Sequence, residues 1–199
     1  MHEWEKAYKD KKFFISKKEH SLIVGGISAY IDKNSRVLDL GCGQGRNSIF
    51  LAEQGHSVDA VDVANVHDFS SLSLDIKQNI NFYKCSVVDF PFGDKKYDAI
   101  IMARLIQYLE PLDVVYIIES VWIHLESKGY IGVSFTSKGG IFSQPDIKIG
   151  KYHHDIDWLV GVLERVGFSN INVTKGASRS VGVPYDGDVS SYDIIANKK

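Results

Sequence analysis

Cysteine is scarce in this sequence, and neither sign of charge dominates. The 199 residues include 2 cysteines, too few for a disulfide framework or a four-cysteine zinc site, so a reducing, cytoplasmic setting is expected. No apolar run approaches the length of a membrane span, and the first residues carry no hydrophobic stretch of a secretion signal, so no membrane segment is expected. The formal net charge of −2 disfavours a surface built to neutralise many phosphates.

Proline-rich linkers, repeats and low-complexity segments are also missing. The sequence has only 4 prolines, and its 17 glycines are dispersed along the chain. Hydrophobic residues make up 44% and charged residues 24%, which is ordinary for a globular protein. The simplest division is an N-terminal helical segment over residues 1–34, with a lysine-rich stretch, followed by a single domain over residues 35–199.

Strand and helix patterns alternate from residue 36 onward. The predicted strands are 36–40, 57–61, 80–85, 97–102, 130–135, 168–174 and 190–196, and the predicted helices are 47–54, 66–77, 112–125 and 156–166. Such alternation predicts an α/β fold, a doubly wound and mostly parallel sheet of seven strands with helices on both faces. The segment 176–188 between the last two strands has no helical period, so these strands are expected to form an antiparallel C-terminal hairpin.

A glycine-rich turn follows the first predicted strand and precedes a helix. It contains Gly41, Gly43 and Gly45, and Asp39 lies just before it. In a doubly wound sheet, ligands bind outside the carboxyl ends of the strands, and glycines let the backbone approach them closely. Asp62 ends the second strand, where an acid can accept hydrogen bonds from both hydroxyls of a ribose. The turn and the acid together predict a site for an adenosine-containing ligand.

The residue at position 46 helps to decide which adenosine-containing ligand the turn would bind. A dinucleotide fingerprint, G-x-G-x-x-G, would place its third glycine where this sequence has Arg46, and the glycine comes one residue earlier. An arginine at the first turn of a helix suits a carboxylate. No Gly-Lys-Ser/Thr follows, so the phosphate-binding Walker pattern is absent. The pattern favours S-adenosylmethionine over NAD.

With these motifs, the chain from residue 35 onward resembles the class I S-adenosylmethionine-dependent methyltransferases. Residues 37–45 look like that family's first motif, residues 86–90 like its adenine-contacting motif, and residues 97–105 like its fourth strand and the segment after it. The resemblance implies a Rossmann-like fold that binds S-adenosyl-L-methionine and releases S-adenosyl-L-homocysteine. The cofactor-binding residues it implies are Asp39, Gly41, Gly43, Gly45, Arg46, Asp62, Val63, Asp89, Phe90 and Ala103.

The resemblance implies that different residues bind different parts of the cofactor. The glycine loop would hold the methionine and ribose part, Asp62 would bind the ribose hydroxyls, and Asp89 and Phe90 would lie beside the adenine. The resemblance also implies an N-terminal aromatic lid that carries Trp4 and Tyr8. A solvated helix packed on the sheet edge is the alternative interpretation of those two residues.

A narrower similarity is to the tellurite-resistance (TehB-like) methyltransferases, which are small single-domain enzymes. It is carried by residues 43–52, with comparable segments at 107–110 and 129–130. That group has a His-Arg pair in its terminal hairpin, whereas this sequence has Ser178 and Arg179 at the matching place. The similarity implies a catalytic role for Arg179 and leaves the methyl acceptor open.

The methyl acceptor decides whether a base is needed. We expect in-line methyl transfer to a small molecule; a soft sulfur, selenium or tellurium nucleophile needs no base, whereas oxygen or nitrogen does. His153, His154 and Tyr108 are the candidates for that base. No His/Cys/Asp spacing suggests a metal. The alternatives are an RNA or protein methyltransferase, an NAD-dependent oxidoreductase, or a binding module without activity; the chain is expected to be a monomer or homodimer.

Overall fold

The computed structural model of this chain describes residues 3–9, 21–67, 69–137, 152, 154–177 and 190–199. Within these ranges a single sheet has the strand order β3-β2-β1-β4-β5-β7-β6. The strands are β1 (Arg36–Leu40), β2 (Ser57–Asp62), β3 (Ile80–Lys84), β4 (Tyr97–Ala103), β5 (Leu125–Thr136), β6 (Phe168–Ala177) and β7 (Ser190–Lys198). The α-helices are α1 (Glu3–Lys9), α2 (Leu22–Ser28), α3 (Arg46–Glu53), α4 (Leu74–Lys77), α5 (Pro111–His124) and α6 (Ile156–Val166).

Strand β1 lies inside the sheet, and three of its five side chains are apolar. Val37, Leu38 and Leu40 are completely buried, as expected for a strand covered on both faces. It pairs in parallel with β2 on one side and β4 on the other. The main apolar core lies between the sheet and α5 with α6, and a second core lies on the opposite face under α2 and α3. The predicted doubly wound arrangement is confirmed.

Helix α6 shows how local sequence sets the ends of an element. The Asp155 carboxylate accepts hydrogen bonds from the backbone N–H groups of Asp157 and Trp158, at 2.8 and 3.3 Å. At the other end Gly167 has a φ of 116°, a left-handed conformation that glycine adopts without strain. The cap and the glycine therefore stop the helix where the sequence predicts.

The C-terminal hairpin of β6 and β7 is antiparallel, as predicted from the loop between them. Strand β7 is antiparallel to β6 and also to β5, and it lies between them. The strand at the edge of the sheet is therefore β6, which runs in the same direction as the parallel strands. Because β7 returns into the sheet, residues of β7 lie beside residues of β5, which places Asp193 opposite Ser134.

One predicted helix is wrong. Instead of a helix over 66–77, the chain forms a 3-10 turn over Phe69–Ser71 and the four-residue helix α4. The serines of this stretch have low helix propensity, and Phe69 is buried against Cys42 and Ala60, which anchors the turn to the sheet. Strand β5 also begins five residues earlier than predicted, directly after α5.

Part of the N-terminal segment over residues 1–34 packs into the core of the domain. Ile23 and Ile27 of α2 are buried in the second core, against β5 at Gly132. Helix α1 instead contacts the loops at the carboxyl ends of the strands. The division at residue 34 stays a prediction.

Candidate functional site

The glycine turn between β1 and α3 lies at the point where the strand order reverses. Its three glycines, Gly41, Gly43 and Gly45, have φ values of 72°, 54° and 82°. The N–H groups of Gly41 and Cys42 donate to the Val61 carbonyl at 2.8 and 3.0 Å, which fixes the turn against β2. The positive φ makes any larger residue at Gly45 strained. A rigid backbone turn at a switch point is the usual place for a bound nucleotide or nucleoside.

Asp39 is a completely buried carboxylate beneath this turn. Its Oδ2 accepts a hydrogen bond of 2.6 Å from the Ser48 hydroxyl on α3, while Oδ1 is buried without a hydrogen-bond partner among the described residues. Burial raises the pKa of Asp39 from 3.8 to about 6, although the Ser48 hydrogen bond opposes the rise. An unpartnered carboxylate oxygen is costly in the folded chain, and it would be stabilised by a cationic or N–H group of a ligand.

Asp62, at the end of β2, joins the glycine turn to the loop that follows. Its Oδ2 accepts from the Gly43 N–H and its Oδ1 from the Ala64 N–H, each at 2.8 Å. These bonds hold the Asp62 carboxylate at the end of β2, where an acid can accept hydrogen bonds from ribose hydroxyls. The structure thus brings Gly43 and Asp62 together, as the sequence suggests, and Val63 follows them, half-buried.

Helix α1 crosses above these loops. The Tyr8 hydroxyl lies directly over Gly43, where it would be only 2.8 Å from a Cβ at that position. Burial, together with the charge of Asp62, raises the pKa of Tyr8 above its ordinary value. The Trp4 ring meets Tyr108 edge-on, with centroids 4.7 Å apart. These aromatic side chains cover the glycine turn from above.

An ion pair attaches the same helix to β3. Glu5 Oε1 lies 2.7 Å from Lys84 Nζ at the end of β3 and accepts a 3.2 Å hydrogen bond from the Asn65 N–H after β2. The Glu5 side chain is only 13% exposed. Helix α1 therefore spans the carboxyl ends of β1 to β4, the position that an N-terminal lid would take.

The segment after β4 forms a 3-10 turn over Ile106–Tyr108 that carries Tyr108 toward α1. His154 is buried below it, and its Nε2 lies 2.8 Å from the Ile106 carbonyl and 3.1 Å from the Leu109 carbonyl. Because carbonyls only accept, Nε2 carries a proton and donates to both. Through Nε2, His154 holds the turn in place, and its role as a base stays a prediction. Tyr108 itself is half-buried and contacts the Trp4 ring of α1.

The two residues predicted to flank adenine lie in different surroundings. Asp89 ends a 3-10 turn over Val87–Asp89 and is exposed at the rim of the site. Phe90 is only 5% exposed and packs edge-on against Tyr83 and Phe92 in the main core. Its ring therefore supports the rim from below, instead of facing a ligand.

The remaining predicted residues are distributed around the turn or are not described. Arg46 is the first residue of α3 and its charge acts on both Asp39 and Tyr8, while Ala103 ends β4 and is half-buried. His153 and Arg179, two of the predicted catalytic residues, lie outside the described residues. The described ranges contain no group of three or more His, Cys, Asp or Glu that could hold a metal ion, and no helix in them is long and apolar enough to cross a membrane.

Sequence reasoning missed two residues at the turn. Gln44 lies between the glycines, and its Oε1 is buried without a hydrogen-bond partner among the described residues, so it is a second group that a ligand could satisfy. Ser48 holds the Asp39 carboxylate. Gln44 could have been predicted, because it lies inside the glycine loop. Nothing in the sequence indicated that the Ser48 side chain contacts β1.

Sequence comparisons relate the chain to known families. The family described as Tellurite resistance protein TehB matches residues 1–137. A probable S-adenosyl-L-methionine-dependent methyltransferase TehB of Haemophilus influenzae is 30% identical over 132 residues, covering 62% of this chain and 44% of that protein. The putative methyltransferase YqeM of Bacillus subtilis is 30% identical over 137 residues, covering 67% and 56%. The chain spans about half the length of the curated relatives it matches.

Structural comparisons confirm the methyltransferase fold. The 1,6-didemethyltoxoflavin-N1-methyltransferase of Burkholderia thailandensis, solved with its acceptor and S-adenosylhomocysteine, has a TM-score of 0.79 at 18% identity and covers 97% of this chain and 84% of that one. A putative S-adenosylmethionine-dependent methyltransferase of Listeria monocytogenes has a TM-score of 0.69 at 18% identity, covering 89% and 98%. At these identities the likeness concerns the fold.

Proposed function

Because this chain belongs to the TehB family, we propose that it is an S-adenosylmethionine-dependent methyltransferase acting on a small molecule. The observation that carries the proposal is the 2.8 Å hydrogen bond from the Gly43 N–H to Asp62 at the switch point of the sheet. It lies near Asp39, whose Oδ1 has no partner among the residues that the structure describes. The Asp62 carboxylate, which is hydrogen-bonded to the glycine turn, is suited to binding both hydroxyls of a ribose. The buried Asp39 carboxylate is suited to a positively charged group of the cofactor's amino acid part.

The residues present fit the cofactor. Oδ1 of Asp39 and the turn from Gly41 to Gly45, with Arg46 at the helix start, would hold its methionine end. Asp62 and Val63 would hold the ribose, Asp89 would stand at the adenine rim, and Ala103 would border the reacting end. When bound, S-adenosylmethionine supplies a methyl group already activated by a positively charged sulfur.

The protein's own contribution is to position the acceptor and exclude water. Trp4, Tyr8 and Tyr108 form an aromatic cover over the glycine turn, and the Glu5–Lys84 pair holds the cover in place. A covered crevice favours methyl transfer by aligning the reactants and by keeping water away from them. It also suits a small acceptor better than a polymer; the acceptor named for the Burkholderia thailandensis neighbour is likewise a small molecule.

The test is transfer of a radiolabelled methyl group from S-adenosylmethionine to a panel of amines, N–H heterocycles, thiols, selenite and tellurite. Wild type is compared with Asp62→Ala and with Asp75→Ala, a matched loss of an exposed carboxylate on α4. We expect transfer by wild type and the control, and at least a hundredfold loss for Asp62→Ala. Tight NAD binding without S-adenosylhomocysteine binding, or equal activity of the two variants, would contradict the proposal.

A further inference from the structure

A polar pair on β5 and β7 lies level with the glycine turn, two and three strands away from it, and has none of the roles described above. Ser134 of β5 and Asp193 of β7 are directly opposite each other in the antiparallel ladder. Side chains opposite each other in such a ladder have Cβ atoms about 4.5–5.5 Å apart. The hydroxyl and the carboxylate are therefore neighbours on the sheet.

Both side chains face the same side of the sheet as α2. A Cβ on Gly132 would meet Ile23 and Ile27 of α2, and Ile195 meets the position of a Cβ on Gly26. Because side chains alternate along a strand, Ser134 and Asp193, each two residues away from those positions, face the same way. They lie about 6.7 Å further toward the carboxyl edge of the sheet than the residues covered by α2.

The strand registers place this pair level with the glycine turn. Asp39 pairs with Ile101, and Ala103 pairs with Ser134. Gly41, two residues after Asp39, is thus level with Ala103, and the row continues through Ser134 to Asp193. The pair stands beyond Ala103, in the direction away from Asp62.

The Ser134 hydroxyl has no hydrogen-bond partner within the described part of the chain. The residue itself is 2% exposed. A buried hydroxyl without a partner costs free energy, so such groups in folded proteins usually bind a water or a ligand. This hydroxyl is the observation, independent of the nearby acid, that points to a ligand.

The charge around the pair narrows the chemistry of that ligand. Burial raises the pKa of Asp193, and the positive charge of Arg104, the residue after β4, opposes the rise. The Arg104 backbone N–H also donates to the Ser134 carbonyl at 2.8 Å, which holds the β4 end against β5. The Asp193 carboxylate and the Ser134 hydroxyl oxygen both accept hydrogen bonds, so the pair suits a ligand that carries N–H donors, with the Arg104 charge as the counter-charge of Asp193.

Resting on the proposed function, we propose that Ser134 and Asp193 bind the methyl acceptor, and that the acceptor is a nitrogen compound carrying an N–H group. The acceptor nitrogen uses its lone pair to form the new N–C bond as the C–S bond breaks, with that bond's electron pair going to sulfur. The N–H proton passes to the Asp193 carboxylate. The products are the N-methyl compound, the neutral thioether and a protonated Asp193.

The experiment compares wild type, Asp193→Asn and Ser134→Ala with the control Asp157→Asn, which removes an exposed carboxylate on α6. The N–H probes are imidazole, benzylamine and 2-aminopyrimidine, and 2-mercaptoethanol and tellurite are the probes without N–H. Four properties are measured: S-adenosylhomocysteine affinity by calorimetry, probe binding to that complex by saturation-transfer NMR, methyl transfer against pH, and unfolding in urea.

We expect an N–H probe to bind and be methylated. With 2-aminopyrimidine, which is neutral over the assayed pH range, the rate should rise with pH as Asp193 ionises. Asp193→Asn should lower this rate at least fiftyfold and remove the rise, and Ser134→Ala should weaken probe binding at least fivefold with no loss of stability. All variants should keep their S-adenosylhomocysteine affinity within twofold. A hydroxyl with only a structural role would instead lower stability when removed.

Three results would overturn the subsite. They are wild-type behaviour of Asp193→Asn, methylation of 2-mercaptoethanol or tellurite but of no N–H probe, and loss of stability without loss of probe binding in Ser134→Ala. If wild type binds no S-adenosylhomocysteine, the proposed function itself fails. Binding of S-adenosylhomocysteine with no N–H probe methylated removes the subsite alone.

Discussion

If Asp39 lies in the cofactor site, as proposed, its buried carboxyl should make cofactor binding depend measurably on pH. Burial raises its pKa from 3.8 to about 6 in the ligand-free chain, and the bound amino acid part of the cofactor would favour the ionised form. If binding restores the ordinary pKa, the difference is about 2 pH units, which is about 3 kcal/mol or a hundredfold in affinity. Affinity for S-adenosylhomocysteine should therefore rise nearly tenfold per pH unit between about pH 4 and 6 and level off above pH 7.

The assay is calorimetric titration of S-adenosylhomocysteine from pH 4.5 to 8, with wild type and Asp39→Asn. Asparagine keeps a polar group for Ser48 but cannot ionise, so the variant should bind weakly and with little dependence on pH. A flat wild-type profile, or the same rise in Asp39→Asn, would refute the assignment of Asp39 to the cofactor's charged end.

The same carboxyl acts on folding with the opposite sign. A raised folded-state pKa gives stability that is present below pH 3.8 and lost as pH rises through about 6. At pH 7 the Asp39→Asn variant should therefore be more stable than ligand-free wild type in urea, by up to about 3 kcal/mol. Equal or lower stability would mean that Asp39 is better solvated than its burial implies.

The other predictions concern stability and the shape of the turn. Burial alone would raise the pKa of Asp59, but hydrogen bonds of 2.8 Å from Lys95 and Tyr97 hold it below the ordinary 3.8, so its stabilisation is present above that pH and lost as pH falls through the folded-state value. Urea unfolding at pH 7 should show a loss of about 2–4 kcal/mol for Asp59→Ala, and a much smaller loss at pH 2.5. Gly45→Ala should lower S-adenosylhomocysteine affinity at least tenfold in a calorimetric titration, since its φ is 82°; unchanged affinity would show that the turn tolerates a side chain. His154→Ala should cost about 2–4 kcal/mol of unfolding free energy and leave the pH profile of methyl transfer unchanged, and a lost limb of that profile would support its role as a base.

Local signals explain why most of the fold could be predicted. The buried apolar residues of β1, the N-cap at Asp155 and the helix end at Gly167 are each indicated by a few neighbouring residues, and all three occur in the structure. The helix predicted over 66–77 does not form as predicted, because Phe69 packs against Cys42 and Ala60, which are distant in sequence. The position of β7 between β5 and β6 likewise depends on pairing across the whole chain, which no local pattern contains.

The same distinction applies to the site. Gly43 and Asp62 could be predicted together because a doubly wound sheet brings the ends of neighbouring strands side by side. The burial of Phe90 and the carbonyl partners of His154 could not, because both depend on which face of a loop turns inward. The Ser134–Asp193 pair needs the register of β5 with β7, which only the folded chain provides.

The most direct test of the central claim is a crystal structure of this chain with S-adenosylhomocysteine. We expect electron density for the ligand above the glycine turn, with both ribose hydroxyls on the Asp62 carboxylate and the amino acid part beside Asp39. Density elsewhere, or a ligand-free turn at saturating concentration, would contradict the claim that this chain binds the methyl donor there.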